Sequence, residues 1–73
     1  MSKEEFISAL GKKSRKIRVD KEKTLYGLAK NTGITYRTLQ RFEKGKINIS
    51  LHYLKKIADD LGVSLEELVK GLP

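Results

Sequence analysis

Apolar residues recur along this chain three and four positions apart, the period of a helix that buries one side, and no segment alternates in the manner of a half-buried strand. The first periodic stretch carries Phe6, Leu10 and Ile17 on one side with Ile7 beside them; Ser14 falls on the same side, a hydroxyl where the period asks for an apolar group. Ser2 with Glu5 three residues on has the pattern of a capping box, so this helix starts there and fades near Asp20, before the wholly charged loop Asp20 to Lys23. Gly11 lies inside it at a cost of roughly 1 kcal/mol relative to alanine, tolerable where another helix passes close by. A second helix, about Leu25 to Thr32, is capped by Thr24, turns Leu28 and Ala29 inward and ends at Gly33, the left-handed residue of a C-cap. A third, about Tyr36 to Lys44, is capped by Thr35, buries Leu39 and Phe42 and closes at Gly45. After a loop from Gly45 to Ile49, Ser50 caps a fourth with the stripe Leu51, Leu54, Ile57, Ala58 and Leu61, ended by Gly62. Ser64 and Glu67 repeat the capping box for a short fifth helix through Leu65, Leu68 and Val69, which stops at Gly71. The pattern predicts an all-α bundle of five helices, with residues 1–73 forming one domain.

Only Gly33 and Ile34 are left for the turn between the second and third helices, so the two must cross steeply, the arrangement of a helix-turn-helix. With Leu39 and Phe42 turned in, Tyr36, Arg37, Gln40 and Arg41 share the opposite face at helical spacing. Two guanidiniums, an amide and a phenol are groups that read base edges in a major groove: arginine pairs with guanine O6 and N7, glutamine with adenine. The competing reading of Arg37 and Arg41 is plain solvation. Their place on the one helix that such a motif presents outward favours contact with bases or phosphates. Tyr36 has two uses open to it, packing near Phe42 or giving its hydroxyl to a phosphate.

Charge extends this picture. Sixteen Lys and Arg stand against nine Asp and Glu, a net charge of +7 on a small domain, which favours a polyanionic partner, nucleic acid or an acidic membrane surface. The basic face of the first helix, Lys12, Lys13, Arg15 and Lys16, would suit either. A membrane-surface helix exposes Trp, Phe or Leu, however, and Phe6, Leu10 and Ile17 are needed for the core, so no membrane partner is expected. No apolar run approaches the roughly 18 residues of a span, and acidic residues stand where a signal peptide is basic and then apolar; the expected location is the cytoplasm. The chain has no cysteine. Its one histidine, His52, lies beside the apolar stripe with no carboxylate or cysteine at ligand spacing, so neither a metal site nor a catalytic residue is expected. With no glycine-rich phosphate loop and no nucleophile beside a base, no enzyme and no cofactor are expected either. Asp59, Asp60, Glu66 and Glu67 come in neighbouring pairs and read as a solvated face. A core this small leaves stability marginal and makes dimerisation useful.

From Leu10 to Val69 the chain resembles the Cro and phage-repressor class of helix-turn-helix regulators, the XRE class, and within it the small stand-alone controller proteins of restriction-modification systems. The likeness rests on Leu10-Gly11, Arg15-Lys16-Ile17-Arg18, Leu28-Ala29, Gly33, Glu43-Lys44-Gly45-Lys46, Asn48-Ile49-Ser50-Leu51, Ile57-Ala58 and Leu61-Gly62-Val63. It implies a lambda-repressor-like bundle with the third helix in the major groove, Tyr36, Arg37, Gln40 and Arg41 being the base-reading positions. It implies phosphate contacts at the start of the second helix, through the backbone at Thr24 and Leu25, at Thr35, and after the third helix at Lys46 and Asn48. A structural ion pair between Arg18 and Glu43 and a two-fold dimer through Leu65, Leu68, Val69 and Leu72 of the last helix are further implications. The chain departs from the class at Leu25, where glutamine usually starts the second helix, at Tyr26 and Gly27, where polar helix formers follow, and at Ser14, Lys23 and Thr32, which replace apolar residues.

Two functions are therefore expected in competition. One is a sequence-specific regulator of transcription, a homodimer on an inverted repeat of double-stranded DNA with half-sites roughly 10 base pairs apart. It would control its own operon, repressing by blocking polymerase or activating by touching it. The other is a protein-interaction module such as an antitoxin that neutralises a toxin, supported by the departures at Leu25, Tyr26 and Gly27, which add apolar surface where a phosphate contact is usual.

Overall fold

The computed structural model describes residues 2–73, and each helix in it opens on a serine or threonine hydroxyl. Ser2 accepts the Glu5 amide at 3.1 Å before α1, Lys3–Asp20; Thr24 accepts that of Gly27 at 2.9 Å before α2, Leu25–Thr32; Thr35 accepts that of Thr38 at 3.2 Å before α3, Tyr36–Glu43. Ser50 and Ser64 serve α4, Leu51–Leu61, and α5, Leu65–Val69, in the same way. Each such oxygen satisfies an amide that a helix start leaves without a partner, worth about 1 kcal/mol. Gly33 and Gly62, at φ 76° and 73°, take the left-handed conformation that turns the chain out of α2 and α4. α3 stops one residue before the predicted end. Lys44 is its cap, with its amide on the Gln40 carbonyl.

No strand occurs among the described residues; five helices pack around one core. α1 lies against α3 and α5, α2 against α3 and α4, and α4 against α5. Leu10, Leu28, Ile34, Leu39, Phe42, Leu54, Ile57, Ala58, Leu61 and Leu68 are buried together, with Ile17 and Leu25 packed at the margin. Burial of a large apolar side chain contributes roughly 2 kcal/mol. α1 and α3 approach so closely that a Cβ at Gly11 would stand inside contact distance of the Phe42 carbonyl oxygen and 3.0 Å from that of Glu43. The glycine that weakens α1 as an isolated helix is what lets the two backbones meet.

Some positions depart from the periodic reading. Leu51 is 71% exposed and Phe6 is also on the surface. Both lie in the first turn of their helices, and since helical side chains lean toward the N-terminus, they point past the core instead of onto it. Thr32 is buried but satisfied: its hydroxyl donates to the Leu28 carbonyl at 2.7 Å and accepts the Ile34 amide at 3.2 Å. Ser14 is fully buried, and its hydroxyl has no hydrogen-bond partner among the described residues. Leu68 corrects an expectation about the dimer. It is fully enclosed within its own subunit, so it holds α5 onto the bundle and offers nothing to a second chain.

Candidate nucleic-acid interface

α3 has two sharply different sides. Leu39 and Phe42 are fully buried and fix its orientation, while Arg37, Gln40 and Arg41 are exposed and Tyr36 is 47% exposed. Among the described residues neither Arg37 nor Arg41 is in an ion pair, so both guanidiniums are available to an outside partner. At the head of the helix the Thr35 hydroxyl donates to the Thr38 hydroxyl at 2.8 Å while accepting its amide.

Arg18 and Glu43 form a buried bidentate pair. Arg18 Nε donates to Glu43 Oε2 at 2.8 Å and Nη2 to Oε1 at 3.0 Å, while Nη1 reaches the Lys23 carbonyl at 2.8 Å. The hydrogen bond to Glu43 raises the guanidinium above its ordinary value; burial opposes this, and the negative charge of Glu43, followed by Tyr36, adds to it. One side chain thus ties α1 to the end of α3 and to the residue that leads into α2, holding the two arms of the motif in a single frame.

Around that pair lies an open cleft. Thr24 and Leu25, at the start of α2, share it with Tyr36 and Gln40 of α3. The Leu25 side chain packs against the core, so what this residue can offer an anion is backbone. Lys46 and Asn48 stand apart from this group, in the loop after α3. Both are exposed, the Lys46 amide donates to the Arg41 carbonyl at 2.9 Å, and Asn48 borders a different groove with Phe6, Ile7 and Pro73. Sequence reasoning missed Lys44 and Arg15 as neighbours of the outward face of α3; both line the cleft. The signal was present: Lys44 follows Tyr36 and Gln40 at i, i+4 and i+8, and Arg15 precedes Arg18 by three.

At the other end of the chain Leu65 and Leu72 are half-buried against the core and Val69 is exposed, so α5 presents a small apolar patch. His52 is exposed beside Tyr53, their ring centroids 6.3 Å apart. Among the described residues no group of His, Asp and Glu could hold a metal ion, and no helix is long and apolar enough to cross a membrane.

A family model described as Helix-turn-helix matches residues 15–68. No protein of curated function matches the sequence. Among solved structures, the chain is similar to the clp gene regulator ClgR of Corynebacterium glutamicum, with 30% identity and a TM-score of 0.84 over 88% of this chain and 82% of that one. It is similar to the restriction-modification controller protein C.AhdI of Aeromonas hydrophila, with 27% identity and a TM-score of 0.82 over 85% of this chain and 94% of that one. It is also similar to the DNA-binding domain of BldD, with 28% identity and a TM-score of 0.80 over 94% and 99% of the two chains.

Proposed function

The chain belongs to the helix-turn-helix family, in its Cro and phage-repressor class, and from that premise we propose that it is a sequence-specific DNA-binding regulator of transcription. The observation that carries this reading is the outward face of α3, with Tyr36, Arg37, Gln40 and Arg41 on a helix whose opposite side is locked into the core by Leu39 and Phe42. A helix so presented fits a major groove, where Arg37 or Arg41 pairs with a guanine and Gln40 with an adenine. The backbone at Thr24 and Leu25, together with Thr35, Lys46 and Asn48, then grips phosphates and fixes the register. Kinship with a clp gene regulator, a restriction-modification controller and a DNA-binding domain supports the same reading.

Two copies paired through Val69, Leu65 and Leu72 would place two α3 helices one turn of DNA apart on an inverted repeat, and autoregulation of the protein's own operon in the cytoplasm follows as the economical arrangement. The test is fluorescence anisotropy on the DNA upstream of the gene and on a scrambled duplex, at two salt concentrations. Preference for the native fragment by about a thousandfold, with a steep salt slope on both, is the expected result. Arg37→Ala should lose about 1 to 3 kcal/mol on the native site and relax one base position, whereas Lys46→Ala should weaken all DNA alike and flatten the salt slope by about one. Equal losses on both duplexes for both variants would remove Arg37 from base readout.

A second reading draws on Tyr26, 75% exposed on α2 at the rim of a groove with Ala29, Ile34 and Tyr36. An aromatic ring left in water suits a protein partner, such as a toxin neutralised by this chain or polymerase. A stoichiometric partner recovered from native extract, with equal and weak binding to both duplexes, would favour it over the first.

A further inference from the structure

α5 is too short to hold itself in place. It has five residues, Leu65–Val69, and helices of fewer than about 12 residues are marginal in water on their own. It carries Glu66 and Glu67 in its first turn and no basic residue in its last. Beyond it the chain runs extended through Lys70 and turns at Gly71, which returns Leu72 to the margin of the core. The last carbonyls of a helix have no amide partners within it. Here a side chain from another helix meets them. Lys13 of α1 is half-buried, and its ammonium donates to the carbonyls of both Glu67 and Lys70. These two oxygens bracket Leu68 and Val69 and stand just before the turn that delivers Leu72. Lys13 is in no ion pair among the described residues, unlike Lys16, which pairs with Asp20 at 3.1 Å further along α1.

We infer that Lys13 is a positioning residue for assembly: its ammonium latches the end of α5 onto α1 and so sets the shape of the patch, Leu65, Val69 and Leu72, on which a second copy docks. The inference rests on the dimer proposed above and names what keeps that surface preformed. Leu68 anchors the middle of α5 in the core, whereas Val69 is exposed and Leu72 reaches the core only by way of the turn that Lys13 holds. A surface that is competent part of the time binds with an affinity lowered by that fraction. In a two-fold dimer the factor enters twice, once for each subunit. α1 also lies against α3 and is joined to its end through Arg18. Lys13 and Arg18 thus connect the patch, through one helix, to the outward face of α3, and a loose α5 would let the separation of two α3 helices vary.

The experiment compares wild type with Lys13→Met, Lys13→Arg and Lys12→Met by sedimentation velocity over a concentration series, with amide hydrogen exchange and thermal melting alongside. Methionine keeps an unbranched stem and removes the donors, arginine restores a cation with several, and Lys12 is the exposed neighbour on α1. If losing the latch leaves about a third of the α5 ends docked, the dimer dissociation constant rises about tenfold. Lys13→Met should show that rise with a melting curve close to wild type. Exchange should quicken at the Lys70 and Leu72 amides, which donate to the Glu66 and Val69 carbonyls, and stay as in wild type at Leu39 and Phe42 in the core. Lys13→Arg should restore both readouts. Lys12→Met removes the same charge from a chain of net charge +7, so by easing repulsion it should leave the dimer as tight as wild type or tighter. A wild type that associates and a Lys13→Met with the same dissociation constant overturn the inference and leave the dimer standing. Faster exchange at Leu39 and Phe42, in step with Lys70 and Leu72, makes Lys13 a support of the whole bundle and overturns it too, as does equal weakening by Lys12→Met. A wild type that stays monomeric at every concentration ends the dimer reading and takes this inference with it.

Discussion

Ser14 and Thr32 are both hydroxyls at positions that the helical period reserves for apolar side chains, and their circumstances differ. Thr32 closes a local circuit, giving its proton to the Leu28 carbonyl and receiving the Ile34 amide, whereas the buried Ser14 oxygen has no partner among the described residues. Removing an unmatched buried hydroxyl relieves a desolvation cost, and removing a matched one strands its partner. Ser14→Ala is therefore expected to raise stability by about 1 kcal/mol, and Thr32→Val to lower it by about 1 to 3 kcal/mol by leaving the Ile34 amide buried without an acceptor. Urea unfolding of the two variants checks the pair, and equal effects of one sign would refute the distinction. The sequence marks both residues as misfits. It cannot tell them apart, because what separates them is a backbone amide delivered by the turn after α2.

At the scale of the helices, α1 and α3 meet through backbone. Alanine at Gly11 gains roughly 1 kcal/mol of helix propensity but must push against the Phe42 and Glu43 carbonyls, which are peptide groups inside α3 and not the movable end of a side chain. The expected net result for Gly11→Ala is a loss of about 1 to 3 kcal/mol, read as a lower urea midpoint. Arg18 ties the same pair of helices. Arg18→Ala leaves the Glu43 carboxylate buried alone, which should cost about 3 to 5 kcal/mol, enough to unfold a domain this small and to imitate a binding defect unless circular dichroism is measured alongside. The helices themselves were legible because caps, glycine stops and apolar stripes are local: α2 falls where its spacing put it, and α3 ends one residue early. The cleft was not legible in the same way. Its lining draws on residues as far apart in the chain as Arg15 and Lys44, 29 positions, brought to one cleft by the close approach at Gly11 and the Arg18 bridge, which no single-helix pattern contains.

For the whole molecule, the balance of apolar surface argues that assembly is weak. Leu68 is spent inside the subunit, Leu65 and Leu72 are half-covered, and Val69 is the exposed apolar residue of α5. A patch so small falls short of the roughly 800 Å² per partner typical of a stable interface, so a dimer built on it should dissociate on dilution and gain strength when both subunits hold one DNA. Binding to an inverted repeat should then rise with more than the first power of protein concentration. Val69→Asp places a charge in the centre of the patch while leaving the core untouched. Its expected effect is a shift to monomer in sedimentation velocity at concentrations where wild type associates, with an unchanged melting curve in dilute solution and an affinity for the full repeat reduced to that of a half-site. A wild type that sediments as monomer at every concentration and binds the repeat with simple first-power dependence would show that α5 is not a dimer surface. Regulation would then rest on single copies, each held by α3 and the phosphate bonds that flank it.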